Sequence, residues 1–190
     1  MNTEIEIPNL NDEDIGTLFN ARTYPQFCEM VRRIQSKDCP FCNLNTALNK
    51  VIMENTYWRA WLNPFPQKHH QYHFIIAHKE HVTHVNDLRS QGWVQLGASV
   101  LWLSNHFGLS GGGIIVRFGD PRLNTGGVRH LHANIQVPDG SGEVRVPLAK
   151  KPEDVEEKKK VIRVFEKMRL GTAFENLAAN ERELVKDRLT

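Results

Sequence analysis

The chain has 190 residues, 40% of them hydrophobic, which is ordinary for a globular protein and enough for one domain with a core and an extension. A formal net charge of +2 gives no strong electrostatic reason to expect a nucleic-acid polymer or a membrane surface as a partner. No apolar run approaches membrane-spanning length, and residues 1–7 lack the basic and apolar regions of a signal peptide, so we expect a cytoplasmic protein.

The first part of the chain predicts helices and no chemistry. Residues 11–14 (Asn-Asp-Glu-Asp) are typical of a helix cap, for a helix that continues through Leu18 and Phe19. A second helix is predicted over 27–34, where apolar residues recur at helical spacing, and Cys28 within it is expected to be a small buried hydrophobe. Residues 1–36 are therefore predicted to form an amino-terminal helical segment.

A pair of cysteines follows, in the sequence Cys39-Pro-Phe-Cys42. Such a knuckle aims two sulfur atoms at one point and needs two more ligands to complete a tetrahedral zinc site. A redox dithiol is the alternative, but that motif normally lies where a strand runs into a helix, and residues 43–45 support this only weakly. An odd number of cysteines also fits a reducing compartment better than a disulfide framework. We therefore favour zinc.

The next segments predict strands. Residues 51–54 and 57–62 are interpreted as two strands with a turn at Asn55, and residues 73–78 as a third strand. Asp87 is then the predicted N-cap of a helix that continues to Phe107 and ends at Gly108. Its apolar stripe is core material rather than a cofactor site. A fourth strand is predicted over the apolar run at 114–118. The helical stripe consists of Trp93, Leu96, Val100, Leu103 and Phe107.

Polar and apolar residues alternate from His130 to Pro138, and a period of two predicts a half-buried strand. Two imidazoles and an amide on one face are poor core material, because each needs a hydrogen-bond partner or a ligand. One face would carry His130, His132, Asn134 and Gln136, and the other Leu131, Ala133, Ile135 and Val137.

The loop at 120–128 precedes this strand and contains Gly126 and Gly127, which allow backbone N–H groups to turn towards the polar face. A nucleophilic imidazole beside such donors suits chemistry at a phosphate. A surface strand with satisfied histidines is the other interpretation, and the residues alone leave both open.

The composition changes after residue 142. Residues 143–146 predict a short strand, and 152–169 an amphipathic helix. Another helix is predicted over 174–189, after Gly171. We interpret this part as a solvated helical extension packed on the core, with a dimer or partner contact as the alternative. The predicted domains are thus 1–36, a core over 37–142, and 143–190.

Two histidines would complete the zinc site, and we choose His81 and His130, which lie just off strand ends near the glycine loop. The residues alone do not exclude His73, His78 or His84 as zinc ligands. Four protein ligands leave no open position, so the zinc would be structural and would fix His132, two residues from a ligand.

Residues 39 to 138 resemble the histidine triad superfamily of nucleotide hydrolases and transferases. The resemblance covers about half the chain and is specific, because the matching segments come in the family's order and at its approximate spacings. They are Cys39-Pro-Phe-Cys42, Leu62-Asn63-Pro64, the segment from His73 to His81, Asn124-Thr-Gly-Gly127 and His130-Leu-His-Ala-Asn134.

The resemblance implies an α+β fold, with an antiparallel sheet of about five strands and flanking helices, usually paired into a homodimer. It implies a structural zinc held by Cys39, Cys42, His81 and His130. The substrate would be a nucleotide or dinucleotide whose ribose is bound by Asn63.

The resemblance also assigns His132 as the nucleophile that attacks the α-phosphorus and forms a nucleotidyl-histidine intermediate. Water, phosphate or a sugar phosphate would then take the nucleotidyl group. We expect the carbonyl of His130 to fix the His132 tautomer. The N–H groups of Gly126 and Gly127 would stabilise phosphoryl charge, an effect often worth ~3 kcal/mol per donor.

Two positions depart from the family pattern. The third triad histidine is Asn134 here, and an amide can donate to a phosphoryl oxygen but cannot shuttle a proton at neutral pH. Gly127 replaces a hydroxyl residue, for which Thr125 is the candidate to compensate. Both changes favour nucleotidyl transfer or phosphorolysis, or a mainly binding role, over fast hydrolysis.

Three functions therefore compete. The first is an enzyme that cleaves or transfers a nucleoside monophosphate group through His132, with Asn134 assisting. The second is a nucleotide-binding protein with a structural zinc and no turnover. The third is a redox or zinc-knuckle interaction protein that uses Cys39 and Cys42.

Overall fold

A computed structural model describes residues 7, 14, 17–66, 68–149 and 151–190, with the side chain of residue 122 left aside. The chain forms two compact units. The helical unit takes Met1–Asp38, Asp120–Val128 and Leu148–Thr190, and the sheet unit takes Cys39–Gly119 and Arg129–Pro147.

The strands of the sheet unit are β1 (Met53–Glu54), β2 (Trp58–Leu62), β3 (His70–His78), β4 (Gly113–Arg117) and β5 (His132–Pro138). The described residues form one antiparallel sheet of these five strands in the order β1-β2-β3-β5-β4. This confirms the predicted α+β class and the five-stranded sheet. One long helix, α2 (Ser90–Phe107), accompanies it.

The apolar face of the sheet carries the core of this unit. Alternate residues such as Trp58, Phe74 and Leu131 share that face and pack with Leu96 and Leu103 of α2. The prediction that the strand from His130 to Pro138 is half-buried is wrong, because residues 132–137 of β5 are buried on both faces. A strand flanked by β3 and β4 has no exposed edge, and side chains shield its polar face as well.

Helix α2 begins two residues later than predicted. Arg89 is its N-cap, whereas Asp87 closes a 3₁₀ turn (Val85–Asp87) in which its carboxylate accepts from the backbone N–H of His84 at 3.3 Å. The carboxylate caps the nearer turn because that turn's N–H groups lie within its reach. The predicted C-terminal stop is correct: Gly108 has a φ of 59°, the left-handed conformation that glycine adopts freely. The stripe is core at Leu96 and Leu103, but Trp93 is 42% exposed.

The helical unit has its own core, built where the amphipathic faces of two helices meet. Phe27 and Val31 of α1 (Tyr24–Gln35) pack with Ile162 and Phe165 of α4 (Pro152–Arg169). Apolar spacing predicted both helices, but not that they pack on each other. The other helical pieces are α3 (Pro121–Asn124), α5 (Ala179–Val185) and 3₁₀ turns at Phe174–Asn176 and Lys186–Arg188.

Two predictions in the carboxyl-terminal part are wrong. Residues 143–146 form no strand, because alternation alone supplies no neighbouring strand to pair with. The helix predicted over 174–189 is broken at Leu177, whose ψ of 154° is extended. Arg182 compensates by donating to the carbonyl oxygen of Leu177 at 2.8 Å.

At the amino terminus, Asp14 and residues 17–18 are helical, while residues 11–13 of the predicted cap lie outside the described residues. No helix in the described part of the chain combines the length and apolar character that crossing a bilayer requires.

Two buried tryptophans on β2 provide a paired test of the core. The indole N–H of Trp58 donates to the carbonyl oxygen of Gly92 at 2.8 Å, whereas that of Trp61 has no hydrogen-bond partner among the described residues. Both side chains are fully buried. We expect Trp58→Phe to lower the free energy of unfolding by roughly 1–2 kcal/mol more than Trp61→Phe, measured by urea denaturation. Equal losses would show that the Trp58 hydrogen bond contributes nothing.

Candidate active site and metal centre

Four sulfur and nitrogen atoms converge beside the end of β3. The ligand atoms of Cys39, Cys42, His81 and His130 all lie within 4.8 Å of one another. His130 Nδ1 is 3.3 Å from Cys39 Sγ and 3.5 Å from Cys42 Sγ, and His81 Nδ1 is 3.3 Å from Cys42 Sγ. Tetrahedral zinc with bonds of about 2.0–2.3 Å places its ligand atoms about 3.4–3.8 Å apart. The donor set and its spacing therefore fit zinc.

The tautomer of His130 also suits a metal ligand. Its Nε2 lies 2.7 Å from the carbonyl oxygen of His78, and because a carbonyl can only accept, Nε2 carries the hydrogen. Nδ1 therefore presents its lone pair towards the sulfurs. Histidines that bind metals commonly have such an outer partner, which fixes the ring.

The knuckle is held in place by Arg59 of β2. Its guanidinium donates to the carbonyl oxygens of Phe41 and Cys42, the second at 3.2 Å. Between the two cysteines, the ring of Phe41 meets those of His130 and His132 edge-on, with centroids 5.7 and 5.0 Å away. The knuckle is thus in direct contact with the proposed nucleophile.

The other histidines that the sequence left open have different partners. His78 Nδ1 lies 3.1 Å from the carbonyl oxygen and 3.2 Å from the backbone nitrogen of Glu80, and His84 caps the 3₁₀ turn through Nδ1. His73 lies in a network on the polar face of the sheet. Among the described residues, none of these three belongs to a cluster with metal-ligand spacing.

His132 is buried, and its tautomer is fixed. Nδ1 lies 2.6 Å from the carbonyl oxygen of His130, so Nδ1 donates and Nε2 keeps its lone pair. Here the expected tautomer is confirmed. Burial, assisted by the positive charge of Arg117, lowers the pKa of His132 to about 4. The imidazole is therefore neutral at physiological pH, as a nitrogen nucleophile must be.

The pairing of β4 with β5 places an arginine beside this imidazole, and the sequence analysis did not identify that arginine. In the antiparallel ladders His132 is opposite Arg117 of β4 on one side and Ala77 of β3 on the other. Directly opposed residues point to the same face, with Cβ atoms about 4.5–5.5 Å apart. Nothing in the run Ile-Ile-Val-Arg-Phe signals this position, because only the pairing of two distant strands reveals it.

Asn134 is one pleat further along the same face. Its Oδ1 accepts from His73 Nε2 at 2.9 Å, and His73 Nδ1 lies 3.2 Å from the amide nitrogen of Asn63. Because Asn63 donates to Nδ1, His73 carries its hydrogen on Nε2. The network orients the Asn134 amide, with its oxygen committed to His73 and its NH₂ group as the donor.

The predicted glycine loop belongs to the helical unit. Within it, Thr125 has a φ of 53°, and the N–H of Gly126 donates to the side-chain oxygen of Asn124 at 2.6 Å. The Gly126 carbonyl accepts from Asn20 at 2.8 Å. Nucleotide binding by Thr125, Gly126 and Gly127 stays a prediction.

The chain is similar to histidine triad proteins, as its motifs predicted. No protein-family model and no curated protein matches it. A histidine triad protein from Clostridium difficile is 20% identical, with 57% of this chain and 96% of that one covered and a TM-score of 0.45. A zinc-bound histidine triad family protein from Mycobacterium smegmatis is 18% identical over 72% and 99%, with a TM-score of 0.45. A histidine triad nucleotide-binding protein from Candida albicans is 16% identical over 70% and 99%, with a TM-score of 0.45. This is a likeness of fold.

Proposed function

We propose that this chain is an enzyme that cleaves or transfers a nucleoside monophosphate group through a covalent intermediate on His132. One observation carries the proposal: a buried imidazole donates Nδ1–H to the His130 carbonyl and keeps a lone pair on Nε2. The motifs from residue 39 to 138 supply the substrate class, a nucleotide or dinucleotide.

In the first step, Nε2 of His132 attacks the α-phosphorus, and the bond from phosphorus to the leaving oxygen breaks with its electron pair. Positive charge develops on the imidazole, and the His130 carbonyl stabilises it through the hydrogen on Nδ1. In the second step, an acceptor oxygen attacks the same phosphorus and the P–N bond breaks. The electron pair returns to Nε2, which restores the neutral imidazole.

Asn134 would donate its NH₂ group to a phosphoryl oxygen, since its own oxygen is held by His73. Asn63, which ends β2, would bind the ribose. The N–H groups of Gly126 and Gly127, with the hydroxyl of Thr125, would bind phosphoryl oxygens once substrate is present. These roles follow the motif resemblance, and each is open to substitution.

The same proposal includes one structural zinc held by Cys39, Cys42, His81 and His130. The zinc would tie the knuckle to the ends of β3 and β5 and leave no open coordination position. The four residues then act on catalysis only indirectly, by fixing Phe41 and the backbone of His130 around His132. A homodimer and a cytoplasmic location complete the proposal.

The test is a mass-spectrometric screen with dinucleoside polyphosphates, nucleotide sugars and adenylated amines. Reactions are stopped in alkaline denaturant, because phosphorus–nitrogen bonds to histidine survive base better than acid. We expect protein heavier by one nucleoside monophosphate less water, together with a released leaving group. If no substrate gives either product or adduct, the enzyme proposal is wrong.

Asn134 favours one second candidate, a nucleotide-binding protein without turnover. An amide cannot act as general acid or base at neutral pH, so every proton in the reaction must come from elsewhere. This candidate predicts saturable binding of mononucleotides in calorimetry and no adduct in the screen above.

A further inference from the structure

The segment Asn63-Pro-Phe-Pro66, directly after β2, holds a backbone donor that the proposed function has not used. Proline has no N–H group, so Phe65 supplies the only backbone donor of residues 64–66. That N–H donates to the side-chain oxygen of Asn63 at 2.9 Å. A backbone N–H can only donate, whereas an amide side chain can be turned either way round. This hydrogen bond therefore fixes which end of the Asn63 amide is the oxygen.

A chain of hydrogen bonds leads from this amide to the polar face of the sheet. The amide nitrogen of Asn63 lies 3.2 Å from Nδ1 of His73, and Nε2 of His73 lies 2.9 Å from the side-chain oxygen of Asn134. Because the NH₂ group of Asn63 donates, Nδ1 accepts, and the hydrogen of the neutral ring lies on Nε2. The direction of the chain is thus set in the loop, and it leaves the NH₂ group of Asn134 as the donor at the far end.

The chain is shielded well enough for its direction to matter. His73 is 9% exposed and Asn134 is 8% exposed, so water competes weakly for their hydrogen bonds. If one member were reversed, two donors or two acceptors would face each other, and a buried polar group without a partner is costly. The members therefore have to reverse together or not at all.

We infer that Asn63 is a positioning residue that acts through the tautomer of His73, so that Asn134 presents a donor to a phosphoryl oxygen. This role is separate from the ribose contact given to Asn63 above, and it rests on the proposed function only for the identity of the anion. A carboxylate at position 63 would accept at both oxygens and move the ring hydrogen to Nδ1. Asn134 would then turn its NH₂ group towards Nε2 and its oxygen towards the anion.

Long-range proton–nitrogen correlation NMR reads the tautomer directly at about pH 9, where imidazole is neutral. The signals of His73 are assigned by their absence from a His73→Gln variant. We expect the hydrogen on Nε2 in wild-type protein and on Nδ1 in Asn63→Asp, which has nearly the same shape. A hydrogen on Nδ1 in wild type, or one that stays on Nε2 in Asn63→Asp, refutes the inference. The measurement needs no ligand.

The effect on anion binding is measured by calorimetry with 2′,3′-dideoxyadenosine 5′-monophosphate, which has no sugar hydroxyl and therefore does not report on a ribose contact. We expect Asn63→Asp to weaken binding about tenfold or more, as for the loss of one hydrogen bond to a charged group. The added charge also repels a phosphate, so the comparison is repeated in the Asn134→Ala background. There Asn63→Asp should weaken binding less than about threefold, because the amide that responds is gone. An equal loss in both backgrounds shows repulsion alone and refutes the inference.

Asn105→Asp is the matched control, because it makes the same change at an exposed position of α2 in the same unit. It should leave both the His73 tautomer and the binding of the probe unchanged. If wild-type protein does not bind the probe, the donor of Asn134 holds no phosphate and the inference is wrong. Protein that binds the probe and shows the expected tautomers but never forms an adduct contradicts the proposed enzyme and leaves this inference standing.

Discussion

His132→Ala should abolish the nucleotidyl adduct and lower kcat/KM by at least about 10³-fold, because the variant has no nitrogen to form the P–N bond. The fold fixes the tautomer of the proposed nucleophile: Nδ1 is engaged with the His130 carbonyl at 2.6 Å, which leaves only Nε2 to attack. Turnover is measured by chromatography of the released nucleotide, and the adduct by intact mass after alkaline denaturation.

Alanine also removes the edge-on contact with Phe41, so a second variant is needed. In His132→Asn the amide NH₂ can occupy the place of Nδ1 and still donate to the His130 carbonyl, but no nucleophile replaces Nε2. We expect this variant to unfold close to the wild-type temperature and to form no adduct. His106→Ala, on the exposed side of α2, should retain full turnover. Undiminished turnover in either His132 variant would eliminate the covalent mechanism.

Local patterns predicted the elements well where one physical signal dominated. The apolar residues of 152–169 recur at helical spacing, a pattern that one helix produces without any partner strand. The structure has α4 over Pro152–Arg169, as predicted. The failures at Asp87 and at 143–146 share a cause. A carboxylate caps whichever free N–H groups lie nearest in the folded chain. An alternating segment becomes a strand only beside another strand. Both outcomes therefore depend on neighbouring residues that the local sequence does not reveal.

The four candidate metal ligands and Arg117 show the same limit of sequence reasoning at the site. The spacing of the two cysteines predicts a metal site, and the structure places His81 and His130 beside their sulfur atoms. Arguments from the residues alone had left three other histidines as possible ligands. Arg117 carried no comparable signal. Period two tells which residues of a strand share a face, but the opposition of Arg117 to His132 is a property of register, set by the intervening loop and the core.

The hydrogen bond between His73 and Asn134 is likewise a contact that the local sequence does not reveal. The two residues lie 61 positions apart in sequence, and their hydrogen bond decides which end of the Asn134 amide remains as the donor. Sequence reasoning identified Asn134 as an amide in place of a histidine. The direction in which that amide faces depends on a buried partner on another strand.

Cys39→Ser combined with Cys42→Ser should remove the metal and destabilise the protein strongly. Structural zinc contributes its binding free energy to folding, and two sulfurs are half of the proposed ligand set. A loss on the order of 3–5 kcal/mol would lower Tm by roughly 6–20 °C in a chain of this size. Metal is measured by elemental analysis of the purified protein, with one zinc per wild-type chain expected, and Tm by calorimetry.

Cys28 supplies the control, because it is the remaining cysteine and lies on α1 in the helical unit, outside the cluster. Cys28→Ala should keep one zinc per chain and a Tm within a few degrees of wild type. A strong chelator should lower the Tm of wild type and of Cys28→Ala alike, and have no further effect on the double variant. If wild-type protein holds no zinc when refolded in its presence, or if the double variant unfolds at the wild-type temperature, these sulfurs do not hold a structural metal.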